Sequence, residues 1–158
     1  MTALTVGSKA PDFALPTDDG STFRLSAHKG KPIVLYFYPQ DDTDGCTLEN
    51  QEFTALLPQF HALGAIVVGI SPDTVESHCR FRDKFTLRAP LLADPDLVAV
   101  KAYDIWQLKK LYGVEYMGLV RTSFIILPNG KIGGIYRATR IRNHAAKLLE
   151  QLPKLLVK

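Results

Sequence analysis

The sequence predicts a single α/β domain over residues 1–158, a mixed central β-sheet flanked by helices with an N-terminal β-hairpin. Three observations carry that expectation. The continuous apolar runs Ile33 to Tyr38 and Ala65 to Ile70 read as strands buried on both faces. Between them Phe53, Leu56, Leu57 and Phe60 recur at the spacing of an amphipathic helix. Late in the chain, Pro128-Asn129-Gly130-Lys131 is a turn signal between two further strand-like segments.

The elements follow in order. Val6 to Leu15 is extended, because the residue before Pro11 is pushed out of the helical region. Asp18-Asp19-Gly20 turns it into a short strand over Thr22 to Leu25. Pro39 stops the first buried strand. Pro58 sits inside the helical pattern that follows, so a kink or two short helices are expected there. A helix from Pro72-Asp73 to about Phe85, a strand over Pro90 to Ala93 and a helix over Asp94 to Tyr103 come next. Thr122 to Leu127 and Ile132 to Arg137 form an antiparallel hairpin, and a last helix covers about Asn143 to Leu152. Met117 is expected in the core.

Composition excludes several classes. With 46% apolar and 22% charged residues the chain is not disordered, and two cysteines cannot form a dense disulfide framework. No apolar run approaches the roughly 20 residues that span a bilayer, and no signal peptide is readable, so a cytoplasmic protein with no membrane association is expected. The net charge of +3 is concentrated late, in Arg137, Arg140, Arg142 and Lys147. A nucleic-acid surface would interleave aromatics with such a stripe, and Tyr136 stands alone. The expectation is a solvated helix face and no nucleic acid.

The chemistry concentrates in Tyr38-Pro39-Gln40-Asp41-Asp42-Thr43-Asp44-Gly45-Cys46-Thr47-Leu48-Glu49, which joins a strand's C-terminal end to a helix. In open α/β sheets ligands bind at that edge. A cysteine in a helix's first turn meets unsatisfied N–H groups and the positive end of the dipole, and both favour the nucleophilic thiolate. Most lone cysteines are small buried hydrophobes. A helix start after a polar loop is expected to lie outside the core. His28, His61, His78 and His144 have no mutual spacing that reads as a metal site, and no phosphate loop or dinucleotide fingerprint is present.

Pro39-x-x-x-Thr43-x-x-Cys46 has the spacing of the peroxiredoxin active-site motif, and the wider pattern resembles the bacterioferritin comigratory protein, or peroxiredoxin Q, branch. The resemblance covers nearly the whole chain, from Ala10-Pro11-Asp12-Phe13 through Gly69-Ile70-Ser71 and Tyr116-Met117-Gly118 to Arg121-Thr122-Ser123-Phe124. It implies a thioredoxin-like fold and a thiol peroxidase that reduces hydrogen peroxide and organic hydroperoxides without metal or organic cofactor. Cys46 would be the nucleophile and become a sulfenic acid. Thr43 would set its hydroxyl beside thiolate and peroxide, and Pro39 would shield the sulfur without donating a hydrogen bond. Arg121 would bring a permanent charge to the sulfur, with Glu49 orienting it. Trp106 is expected to pack. Thioredoxin or another thiol would be the reductant, and the branch resembles monomeric rather than ring-forming peroxiredoxins.

Two departures stand out. Many members carry a second cysteine five residues after the nucleophile, where this chain has Gln51, and proline where it has Asp44. Asp44 is expected either to oppose thiol ionisation or to cap the helix. The other cysteine, Cys79, falls within the helix after the second buried strand; some relatives resolve there with a cysteine that aligns with Arg82. Val75, His78, Phe81 and Phe85 define that helix's inward face, which Arg82 flanks while Cys79 turns toward solvent. One-cysteine behaviour is therefore expected, with Cys79 as the alternative resolving residue. A disulfide reductase would want Cys-x-x-Cys, and Glu49 holds the second position. A non-catalytic redox sensor or chaperone would share the same residues around Cys46.

Overall fold

A computed structural model of the chain describes residues 4–138 and 140–157. The buried run forms β3 (Ile33–Phe37), the middle of a five-stranded sheet. Parallel to it lies β4 (Ile66–Ser71), and beyond that β5 (Leu91–Ala93). On its other side the antiparallel strands β8 (Thr122–Ile126) and β9 (Ile132–Arg137) complete the order β5-β4-β3-β8-β9. Leu35 pairs with Val68 and with Phe124, so the two halves of the chain meet at the central strand.

Alternate residues of β3 serve two cores, as strand geometry requires. Ile33, Leu35 and Phe37 face the hairpin of β1 (Ala14–Pro16) and β2 (Thr22–Arg24) and the short helix α3 (Val98–Ala102), joining Phe13, Phe23 and Tyr103. Val34 and Tyr36 face α1 (Asp44–Ala62), α2 (Val75–Phe85) and α4 (His144–Leu156), joining Phe53, Phe81 and Leu148. Every residue of β3 is buried.

Several expectations are corrected. α1 runs through Pro58 as one helix, because buried Phe53, Leu57 and Phe60 hold both sides of the proline against one core. α4 likewise continues through Pro153 to Leu156, past the expected Leu152. The sequence reading missed the two-stranded ribbon of β6 (Trp106–Leu111) and β7 (Val114–Leu119). Lys109, Lys110 and Glu115 blur its alternation, and its turn is Tyr112-Gly113, both with positive φ, rather than Asn-Gly. Met117 lies on this ribbon and is half exposed, not core. The late basic residues do not form a helix face. Arg137 ends β9, Arg140 and Arg142 lie in the following loop, and Lys147 is on α4.

Gly69 of β4 stands beneath the Tyr36 ring, which stacks on Phe53 at 4.1 Å between centroids. A Cβ at Gly69 would come within 2.6 Å of that ring. Gly69→Ala should destabilise the fold by about 1–3 kcal/mol, the range for overpacking a filled core, read from urea denaturation. An unchanged midpoint would show that Tyr36 moves aside freely.

Candidate active site

Thr43 is the N-cap of α1, with extended backbone (φ −96°, ψ 157°), and Cys46 is the third helical residue. Its thiol does not lie outside the core as expected. Cys46 is fully buried in the cluster beneath α1 and α4, and Ile141 closes over the residue before it: a Cβ at Gly45 would meet Ile141 Cδ1 at 2.6 Å. A buried thiol in a helix's first turn is then approached by one cation. Arg121, immediately before β8, donates from Nη2 to Cys46 Sγ at 3.1 Å.

The same guanidinium donates from Nη1 to Glu49 Oε1. Glu49 is three residues after Cys46, hence on the same face of α1, and is buried rather than on the helix surface. Its Oε2 has no hydrogen-bond partner among the described residues. Burial pushes the Glu49 carboxyl up to about 7, against the pull of Arg121. Burial opposes the charge on Arg121 too, but Glu49 and Cys46 outweigh it and its pKa is raised. Arg121 therefore places a permanent positive charge against the sulfur, an arrangement that favours thiolate over thiol.

The remaining expected residues fall around this pair. The Thr43 hydroxyl donates to the Gln40 carbonyl at 3.2 Å. Pro39 is half-buried just past β3, and Trp106 is half-buried against the core. Asp44 does not cap the helix: Thr43 holds that position, and Asp44 is exposed in the first turn. Two residues that sequence reasoning missed, Tyr36 and Asn50, brace the turn from below. Tyr36 Oη donates to Asn50 Oδ1 at 2.6 Å, and Asn50 Nδ2 donates to the Cys46 carbonyl at 2.9 Å. The i+4 spacing of Asn50 from Cys46 was the available signal.

The loop before Cys46 is tied to α2. Buried Asp41 accepts from Tyr38 Oη at 2.7 Å and Ser77 Oγ at 2.8 Å, and His78 Nδ1 lies 2.8 Å from its Oδ2. His78 Nε2 is 2.9 Å from the Leu92 carbonyl, which only accepts, so Nε2 carries a hydrogen. Among the described residues Asp41, Asp73 and His78 form the one group with metal-ligand atoms within 4.8 Å of one another. Those atoms already bind each other, Ser77, and the Asp41 amide, which donates to Asp73 Oδ2 at 2.8 Å. Cys79 does not turn to solvent as expected. It is half-buried, and its Sγ donates to the Asp18 carbonyl at 3.2 Å, the same oxygen that Arg82 Nη1 reaches at 3.2 Å.

Known proteins resemble the chain along most of its length. The AhpC/TSA family matches residues 6–135. Peroxiredoxin Bcp of Bacillus subtilis (strain 168) is 42% identical over 149 residues, covering 94% of this chain and 95% of that one. A putative peroxiredoxin bcp of Helicobacter pylori (strain ATCC 700392 / 26695) is 42% identical over 152 residues, covering 96% and 100%. Among solved structures, the bacterioferritin comigratory protein of Xanthomonas campestris, studied for its alkyl peroxide reduction activity, superposes with a TM-score of 0.88 at 34% identity, covering 98% of each chain. A cysteine-to-serine mutant of Xylella fastidiosa PrxQ gives 0.90 at 33% identity and the same coverage. These likenesses favour a thiol-dependent peroxidase with a thioredoxin fold over a non-catalytic sensor or chaperone. With its buried cysteine held by an arginine from across the sheet and with relatives that match it end to end, the chain belongs to the AhpC/TSA family, as a peroxiredoxin of the Bcp type.

Proposed function

We propose that in this thiol-dependent peroxidase Cys46 is the nucleophile, Arg121 stabilises the reacting sulfur and oxygen, and an external thiol completes the cycle. The observation that carries the reading is the contact of Arg121 Nη2 with Cys46 Sγ at 3.1 Å. The thiolate attacks one oxygen of hydrogen peroxide or an organic hydroperoxide. The S–O bond forms, the O–O bond breaks, the departing oxygen takes a proton, and sulfur is left as a sulfenic acid. Glu49 is a positioning residue that aims the guanidinium. The Thr43 hydroxyl turns from Gln40 toward the peroxide during attack, and Pro39 screens the sulfur.

The sulfenic acid is resolved by thioredoxin or another external thiol, the chain acting as a single-domain cytoplasmic monomer. Supporting the external route, the Cys79 thiol is held by Asp18 at the β1–β2 turn, apart from the Arg121 site. No described helix is long and apolar enough to cross a membrane.

Cys46→Ser should abolish peroxide consumption, while Cys79→Ser should leave the first oxidation nearly intact. Stopped-flow oxidation of Arg121→Ala should be slower by about 100-fold, the scale for losing one donor to developing charge. Parent-like kinetics in that variant would remove Arg121 from the chemistry. After one equivalent of peroxide, intact mass under non-reducing conditions should show a gain of one oxygen atom. A loss of two hydrogens, absent in Cys79→Ser, would instead make Cys79 the resolving residue.

Glu49 supplies a pH test. Its folded value of about 7 lies above the ordinary 4.5, so its contribution to stability is whole below 4.5 and is lost as pH rises through 7. The unfolding free energy of the parent, taken relative to Glu49→Gln, should therefore fall across that window. A difference independent of pH would show that the carboxyl does not titrate there.

A further inference from the structure

The peroxide chemistry leaves the late basic residues unused. Arg137, Arg140, Arg142 and Lys147, with Asn143 and His144, line a cavity of about 380 Å³. That volume falls within the roughly 300–1,000 Å³ range of small-molecule sites. Among the described residues none that lines it is acidic. Among the described residues none of these four cations pairs with a carboxylate. The nearby acid, Glu52, instead accepts the Asn143 N–H at 2.9 Å. Helix α4 opens into the same space with no side-chain cap and no acidic residue in its first turn. Helix N-termini favour anions, and guanidinium forks match carboxylates and phosphates.

The segment that lines the cavity reaches the turn that carries Cys46. Ile141, between Arg140 and Arg142, is the side chain that covers Gly45, and Arg121 Nη2 lies 3.6 Å from the same Gly45 Cβ position. His144 Nε2 and Ser123 Oγ are 2.8 Å apart, two residues beyond Arg121 along β8. Burial, with Lys147 and Arg121, lowers His144 to about 4, so at pH 7 the charge comes from the arginines and the lysine.

We propose that this cavity binds the reductant, a low-molecular-mass thiol carrying two or more carboxylate or phosphate groups, and delivers its sulfur past Ile141 to Cys46. The inference rests on the peroxidase reading and specifies its external thiol. Its size suits a small molecule, and its cations do two things. They hold the oxyanion groups, and they favour the thiolate that attacks the sulfenic acid. The thiolate sulfur bonds to Cys46, the S–O bond breaks, and the departing hydroxide takes a proton as water. A second thiol then attacks the mixed disulfide, releasing Cys46 as thiolate and the small disulfide as product. The thiol is oxidised and Cys46 is reduced.

The test compares two thiols on protein oxidised by one equivalent of hydrogen peroxide, at constant ionic strength and equal thiolate concentration. Mercaptosuccinate carries two carboxylates, and 2-mercaptoethanol carries none. Mixed-disulfide formation, followed by mass, should be at least about tenfold faster with mercaptosuccinate, the scale of one charged hydrogen bond. The ratio should fall toward unity in the double variant Arg140→Ala/Arg142→Ala. In the unaltered protein, inorganic phosphate replacing chloride should slow mercaptosuccinate and spare 2-mercaptoethanol, which tests the site without any substitution. A ratio near unity, a ratio unchanged in the variant, or phosphate slowing both thiols alike would overturn the proposal. So would a charge preference confined to the oxidation step with a carboxylated hydroperoxide, which would make the cavity a peroxide subsite. Protein that hydrogen peroxide leaves unoxidised would overturn the peroxidase reading and this one with it; the other outcomes overturn this one alone.

Discussion

The site depends on one guanidinium placed between a thiol and a carboxylate. Arg121 touches Cys46 through one nitrogen and Glu49 through another, and all three are largely withdrawn from water. A lone cation in that position would lose much of its hydration without compensation, and a lone carboxylate would be neutralised by burial. Each group's burial is supported by its neighbour. The guanidinium reaches α1 because β8 pairs directly with β3, whose C-terminal end feeds the helix. Sheet register is therefore part of what builds the site: a one-residue slip between β3 and β8 would turn the strand's faces over.

The support beneath is equally specific. Tyr36 stacks on Phe53 and hydrogen-bonds Asn50, which holds the Cys46 carbonyl. Thus a single residue of β3 connects the packing of α1's long body to the position of its first turn. Gly69 leaves the room that the Tyr36 ring occupies. Ile141 covers Gly45, so the loop before α4 bears on the turn that carries the thiol although it lies far away in sequence.

Most of the central sheet was legible because buried strands such as Ile33 to Phe37 carry unbroken apolar runs, and the Pro128 to Lys131 turn carries its own chemistry. The β6–β7 ribbon was not, since its strands are half exposed and its turn uses Tyr112 at positive φ. At the site, motif spacing singled out Cys46 and Thr43, and the wider family resemblance singled out Arg121. The burial of Cys46 and Glu49 was not, because the Cys46 cluster includes residues of α4 and the Glu49 partner is Arg121, all distant in sequence, and local polarity around the motif reports neither. Pro58 misled for a related reason: a helix pinned on both sides by core residues tolerates a missing N–H that would end an isolated one, as α4 also does at Pro153.

The Asp41 anchorage has a dynamic consequence. Asp41 binds Tyr38 at the end of β3, Ser77 and His78 on α2, and through its own amide Asp73. A loop held to a helix at that many points cannot open by itself. By that anchorage, amide hydrogen exchange in α2 and in the segment before Cys46 should report one cooperative unit. Any rearrangement that unwinds the turn before Cys46 would therefore loosen the helix bearing Cys79 at the same moment.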